Sequence, residues 1–324
     1  MLNCFVPGSQ GLDRLDPPPA EIPEQCVWVD LLEPTLAEER AVERLLKIDV
    51  PSREEMREIE TSNRLYEENG TLYMTATVVT KIDTDRPESA AITFILSHNR
   101  LITNRYVDPL PFRRFVAYSE RHPGAATSAP GILAGLLESV IERTADVLER
   151  VGAGLDDLSA GVFAAPAAKG APRARDLRGV MERIGRDGDL TSKARESLVT
   201  LGRQLTFIQQ SSAVQIPKEQ LARFRSMSRD VLALSDHASF LANKSSFMLQ
   251  ATLGLINIEQ NNIIKIFSVA AAVFLPPTLI ASIYGMNFHF MPELDWHYGY
   301  WLALGLILIS ALLPYFFFRR RGWL

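Results

Sequence analysis

Cysteine is nearly missing from this 324-residue chain: only Cys4 and Cys26 occur, and they form no CxxC pair. That pattern argues against a cysteine-based zinc site and fits a reducing compartment. Histidine is also scarce. His98, His122, His237, His289 and His297 lie far apart, with no HExxH or HxH spacing, so they read as surface or loop residues rather than zinc ligands. Neither GxxxxGK[ST] nor GxGxxG occurs, which disfavours an ATP-driven pump. There is no excess of positive charge: 34 Lys and Arg against 38 Asp and Glu give a net charge of −4, without the basic footprint of a nucleic-acid partner. The first residues show no basic stretch followed by an apolar one, so no secretory signal is expected and the leading region is expected to stay in the cytoplasm. Asn69-Gly70-Thr71 matches a glycosylation acceptor, but between two strand patterns it reads as a turn.

Two stretches lack charge altogether, Ile266 to Tyr284 and Tyr298 to Phe318. About 20 helical residues span roughly 30 Å, the thickness of a bilayer hydrocarbon core. Two C-terminal transmembrane helices follow, and a mean hydropathy near zero conceals them.

Ahead of them, residues 1–25 are rich in Pro and Gly and read as an irregular arm or edge strand. A helical pattern runs from Leu36 to Ile48, with Thr35 as cap. A second short helix is expected from Ser52, with Glu55 completing a capping box. Arg64–Glu68, Thr71–Thr80, Ala90–Ser97 and Arg100–Arg105 read as strands joined at Asn69-Gly70 and His98-Asn99. These predict an α/β cytoplasmic domain over residues 1–129. Helical spacing then takes over from Gly131 to Phe163. It resumes over Arg173–Gln210 after the linker AAPAAKGAP (Ala164–Pro172) and restarts at Lys218. After Pro217 no proline occurs until Pro276, so one stalk helix of about 65 residues is expected to continue into the membrane, and a helix that long needs neighbours. The expected divisions are a helical and stalk region (130–260), a first span (261–284), an outer loop (285–297), a second span (298–318) and a basic tail (319–324).

Steps of three and four from Asn261 reach Ile264, Ser268, Ala271, Leu275, Thr278 and Ser282. The three hydroxyl side chains between Ile266 and Ile283 all fall on this seam. Small and hydroxyl residues can act as packing glue between membrane helices. They can equally line a channel, with Ile264 and Leu275 as apolar constrictions. Without a carboxylate on the seam, such a channel suits a cation that keeps its water, and magnesium dehydrates reluctantly. Arg319, Arg320 and Arg321 follow the second span, while the loop from Gly285 to His297 carries only acidic formal charge. The positive-inside rule then places both termini in the cytoplasm.

The motif GMN at Gly285–Asn287, preceded by Tyr284 and followed by MPEL at Met291–Leu294, resembles the signature of the CorA family of magnesium and cobalt transporters. The likeness extends through GLINIEQNNIIKIFSVAAAVFLPPTLIASIYGMN and the tail RRRGWL, about the last quarter of the chain. MREIETSNRLYEENG (Met56–Gly70) is similar to the enterobacterial-type branch. The resemblance implies a funnel-shaped homopentamer in the bacterial inner membrane, with an α/β cytoplasmic domain, a stalk continuing as the pore-lining helix and a second helix facing lipid. It implies passive influx of hydrated Mg2+, with Co2+ and Ni2+ as further cargo, and gating by intracellular Mg2+. Asn287 falls on the selectivity ring, within Gly285, Met286 and Asn287. Asn261, Ile264, Leu275, Thr278 and Ser282 fall on the pore positions, which is the seam already traced. Gly285 would let the chain turn where the helix ends. Glu293 and Asp295 would supply an attracting field at the outer mouth. Asp83, Asp85, Asp230 and Asp236 are candidates for regulatory Mg2+ ligands, and ordinary solvated carboxylates are the other reading.

The chain departs from the family pattern at His289, where an acid is usual, and at Ser282, where glycine is often found. Arg173–Arg203 is more basic than acidic, which weakens the idea of an acidic funnel there. Lys265 can join a basic collar or snorkel to headgroups. Two other readings stay open: a zinc transporter of the same superfamily, and a membrane-anchored cytoplasmic sensor or enzyme. No catalytic constellation supports the latter.

Overall fold

A computed structural model describes residues 1–8, 11–16, 22–84, 86–122, 127–163, 176–287, 289, 291–292 and 295–323. The chain forms two compact units, Met1–Met248 and Leu249–Leu324.

The first unit is built on a seven-stranded sheet. Its strands are β1 (Leu2–Pro7), β2 (Leu12–Arg14), β3 (Trp28–Leu32), β4 (Leu65–Glu68), β5 (Thr71–Thr80), β6 (Glu88–Ser97) and β7 (Arg100–Arg105), in the order β2-β1-β3-β7-β6-β5-β4. Only the β3–β7 pair is parallel. The helices of this unit are α1 (Leu36–Leu46), the single turn α2 (Thr61–Arg64), α3 (Leu110–Ser119), α4 (Ala129–Phe163), α5 (Leu177–Gln210) and the first part of α6 (Lys218–Tyr284). Val29, Leu31, Tyr73, Ile95 and Ile102 gather on one face of the sheet with Val42 of α1. On the other face Trp28 and Phe94 meet Phe112 of α3, at ring-centroid distances of 6.4 and 6.1 Å. Burial on both faces explains why β5 is buried along its whole length although its sequence, TLYMTATVVT, does not alternate.

The four strand patterns read from sequence all form, and the Asn69-Gly70 turn takes positive φ at both residues, 50° and 76°. Thr35 and Glu38 close a capping box on α1. Two expectations need correction. Residues 1–25 are not merely an irregular arm or an edge: β1 lies between β2 and β3, and Cys4 and Phe5 are buried. Its apolar run is only Cys4-Phe5-Val6 before Pro7 and Gly8, too short to stand out as an interior strand. The helix expected at Ser52 is a single 3-10 turn, Glu55–Arg57. Ser52 and Glu55 do exchange hydrogen bonds, but the chain turns extended at Glu58. Beyond Met56 there is no apolar face to bury, and Ile59 is 87% exposed. The linker Ala164–Pro172 lies outside the described residues.

β4 covers β5 only from Thr71 to Met74. Further along that edge, α5 takes over: Thr200 Oγ1 accepts a hydrogen bond from the Thr77 amide at 3.0 Å. A helix side chain thereby occupies a backbone group that a free sheet edge would leave unpaired. α3 and α4 approach so closely that a Cβ on Gly135 would lie 2.2 Å from the Phe115 ring, which makes glycine obligatory there.

The second unit contains the end of α6 and helix α7 (Gly299–Arg320). Both helices carry windows long and apolar enough to cross a membrane, with mean hydropathies of 2.0 and 2.2. Those windows are 6% and 0% buried, so in water the helices would expose a continuous apolar surface far beyond what a soluble chain tolerates. Trp296, Tyr298, Tyr300 and Trp301 cluster at the start of α7, and Tyr315, Phe317, Phe318 and Trp323 near its end. Amphipathic rings at both ends of a span match the two levels of a membrane interface.

Candidate ion pathway

α6 sorts its side chains by face within the second unit. Asn261, Ile264, Ser268, Ala271, Leu275, Thr278 and Ser282 are all exposed, Ile264 to 60% and Leu275 to 65%. A second stripe, Val269, Ala272, Val273, Pro276, Pro277, Ile280 and Tyr284, is buried or half-buried. The seam found in sequence lies within a broader exposed surface of α6 that also carries Ile263, Phe267, Phe274, Leu279 and Ile283. Pro276 and Pro277 lack the N–H groups that would bond the carbonyls of Ala272 and Val273 in an unbroken helix, and the helix nevertheless runs through them. Thr278 donates its hydroxyl proton to the Phe274 carbonyl at 2.7 Å. With the proton held by the backbone, the hydroxyl has only lone pairs to offer outward, the arrangement a cation or its waters require.

The Gly285 amide closes the last turn on Ala281 O at 2.9 Å, and the Met286 amide reaches Ile283 O at 3.2 Å. Gly285 does not take the left-handed conformation expected for a turning residue. A Cβ at Gly285 would stand 3.2 Å from the Ala281 carbonyl, a tight contact. Asn287 follows at the helix end with its carboxamide exposed. His289 and Asp295 are exposed as well, whereas Glu293 lies outside the described residues.

The described candidate regulatory acids, Asp83, Asp230 and Asp236, lie in the first unit. Among the described residues no three His, Cys, Asp or Glu side chains form a group able to hold a metal ion. Asp230 and Asp236 are exposed on α6, and Asp85 lies outside the described residues. Asp83 is held by two guanidiniums of α4, Arg143 Nη2 and Arg150 Nη1, each at 2.9 Å. The hydrogen bond from Arg150, joined by the Arg143 charge and opposed by slight burial, pulls the Asp83 carboxyl below its ordinary value. A depressed folded-state pKa stabilises the fold above the unfolded value near 3.9 and ceases to do so as pH falls through the lower folded value. Asp83 is 68% exposed, so screening limits the effect to about 1 kcal/mol or less. Asp83→Asn should lower the melting temperature slightly at pH 7, and the difference from wild type should vanish under strong acid and shrink in high salt. A difference that persists in acid would assign it to something other than this ion pair.

Sequence reasoning missed the pairing of Asp83 with α4 and the aromatic clusters flanking α7. The aromatics were visible as a Trp-Tyr-Trp concentration around 296–301, whereas the arginine partners stand 60 and 67 residues away with no local signal.

An α/β unit, a 67-residue helix that runs into one apolar span and a second span close behind define a membrane transport protein of the two-span type. A family model described as CorA-like Mg2+ transporter protein matches residues 23–320, and the chain belongs to that family. It is a transporter family, and the chain is not an enzyme. The chain is 34% identical to the "Magnesium transport protein CorA" of Mannheimia succiniciproducens and 35% identical to that of Haemophilus influenzae, in each case over all of both chains. The complete structure of the CorA magnesium transporter from Methanocaldococcus jannaschii superposes with a TM-score of 0.76 at 22% identity, covering 100% of this chain and 99% of that one. The ZntB cytoplasmic domain from Vibrio parahaemolyticus matches 79% of this chain and 97% of its own, with a TM-score of 0.58 at 8% identity, a likeness of fold alone.

Proposed function

We propose that this chain conducts hydrated Mg2+ passively across a bacterial inner membrane, as a homopentamer with the exposed α6 seam facing a central pore. The observation that carries this reading is the uncovered stripe from Asn261 to Ser282, which ends beside an exposed Asn287. Five copies of α6 would cover that stripe against one another around an aqueous path. Ile264 and Leu275 form its apolar constrictions, and Thr278 and Ser282 its hydroxyl rings. Asn287 presents carboxamide oxygens to the first-shell waters of the ion, and Gly285 and Met286 set its position. An inside-negative potential contributes about 4.6 kcal/mol per 100 mV for a +2 ion, so no chemical energy source is needed. Glu293 and Asp295 supply the outer field, with both termini in the cytoplasm. Co2+ and Ni2+ share the charge and the octahedral aqua shell and are the further cargo.

Intracellular Mg2+ closes the pore in this reading, through carboxylates of neighbouring copies. Asp230 and Asp236, exposed on α6, are better placed for that than Asp83, which already has two cationic partners. The test is cation-resolved flux into proteoliposomes of purified protein. Mg2+ influx should compete with Co2+ and Ni2+ and should fall as internal Mg2+ rises through roughly the millimolar range, the weak end of carboxylate sites. Selective Zn2+ uptake without Mg2+ uptake would shift the assignment to a zinc transporter, and flux indifferent to internal Mg2+ would remove the gating claim.

A further inference from the structure

In the first unit, where α5 lies along the edge of β5, an open cavity of about 410 Å³ remains between α5 and the segment around α2. This is the size range of small-molecule sites. Arg64, Arg195 and Arg203 line it, with a single carboxylate, Glu196. The three arginines come from two elements. Arg195 and Arg203 lie two helical turns apart on the face of α5 that also presents Ser192, Val199 and Thr200. Arg64 ends α2 and is fixed there, with Nη1 donating to Thr77 Oγ1 at 3.1 Å and Nε to the Glu58 carbonyl.

Among the described residues none of the three arginines has a carboxylate within ion-pair distance, unlike the arginines of α4, which hold Asp83 and Asp146. Glu196 is turned to Ser89, which donates to it at 3.4 Å. Among the described residues Arg195 has no hydrogen-bond partner, and Arg203 has only a long one to Thr61 Oγ1, at 3.4 Å. Burial holds Arg64 below its ordinary pKa; the Glu196 charge opposes that effect, and a weaker repulsion from Arg203 adds to it. Three arginines against one carboxylate leave an excess of positive charge around the cavity, and Arg195 and Arg203 are exposed to meet an anion from solution. Their planar forks match phosphate oxygens in pairs. The remaining wall is apolar, from Ile59, Leu65 and Val199. Ile59 stands 87% exposed beside the cavity, an aliphatic surface that inorganic phosphate would leave wet.

We propose that this cavity binds a small organic phosphate of the nucleoside phosphate class, with the phosphate on Arg64, Arg195 and Arg203 and the organic body against Ile59, Leu65 and Val199. Ser192, with its hydroxyl on the same helix face, is the additional polar contact for that body. The site is separate from the α6 seam, and its ligand is recognised without a metal ion.

The test is isothermal titration of the full-length, detergent-solubilised protein with adenosine monophosphate, and in parallel with inorganic phosphate, both in the absence of divalent cations. Saturable binding of the nucleotide is expected, tighter than that of inorganic phosphate, with a rise in melting temperature as ligand is added. Arg195→Ala and Arg203→Ala should each raise the Kd about tenfold or more, the weight of a charge-assisted contact. Arg178→Ala, on the same helix but 90% exposed and paired with Glu182, should leave it unchanged. Three results would overturn the proposal: no saturable binding, equal affinity for the nucleotide and inorganic phosphate, or an equal loss in all three variants.

Discussion

Asn287→Ala should abolish selective Mg2+ uptake, by about a thousandfold or more, and leave the assembly intact. The expected size follows from symmetry. In the proposed pentamer a hydrated dication on the axis would meet five carboxamides, each hydrogen bond from a first-shell water to a carboxamide oxygen contributing on the order of 1 kcal/mol. Five lost together amount to about 5 kcal/mol, between three and four powers of ten. Assembly should survive because the Asn287 side chain is exposed beyond the end of α6 and holds no element in place. The measurement is Mg2+ influx in proteoliposomes with competing Co2+ and Zn2+, beside size-exclusion chromatography of the same preparation. Asn287→Asp separates ring geometry from ring charge. It keeps the oxygens, adds five negative charges and should trade selectivity for tighter ion retention, since a carboxylate competes with water for the metal. Unchanged uptake and unchanged competition in the alanine variant would remove Asn287 from the pathway.

The α6 seam could be traced from sequence because it is local: steps of three and four along one helix specify a face. The same holds for the antiparallel pairings of β4 to β7 and the box at Thr35, where those partners lie within one hairpin or one turn. Reading failed where the decision is made at long range. β1 is an interior strand only because β3 pairs with it, from Leu2 opposite Leu31 to Phe5 opposite Trp28. The Ser52 box formed its hydrogen bonds and still produced no helix, because a cap starts a helix and only a buried face sustains it. GMN was conspicuous as a motif, whereas the tight approach of Gly285 to the Ala281 carbonyl is a contact invisible without coordinates. The buried side-chain hydrogen bonds of the first unit are mostly of this long-range kind, and their centre lies at the parallel junction of β3 and β7.

There Asp30 and Arg105 form a buried bidentate pair, Nε to Oδ1 and Nη2 to Oδ2, both at 2.8 Å, with the residues only 2% and 5% exposed. Thr103 Oγ1 donates to Asp30 at 2.8 Å and itself accepts from the Trp28 indole at 2.9 Å. Arg105 Nη1 also reaches the Val107 carbonyl and Asp108, and the guanidinium lies 4.8 Å from the centre of the Phe112 ring. Such a network costs much to desolvate and is tolerable because almost every donor and acceptor in it is matched. Asp30→Ala leaves a guanidinium buried against an aromatic ring with half its partners gone. The expected loss is about 3–5 kcal/mol, or a fall in melting temperature of roughly 10 °C for a unit of this size. Asp30→Leu combined with Arg105→Met removes both charges and keeps most of the volume, so the double variant should recover much of the loss, because an apolar pair in the same space has no desolvation to offset. The contrast distinguishes a pair that stabilises by its presence from one that destabilises only when broken. If the double variant melts as low as Asp30→Ala, the pair contributes net stability that apolar packing cannot replace; if Asp30→Ala melts like wild type, the network carries no weight in the fold.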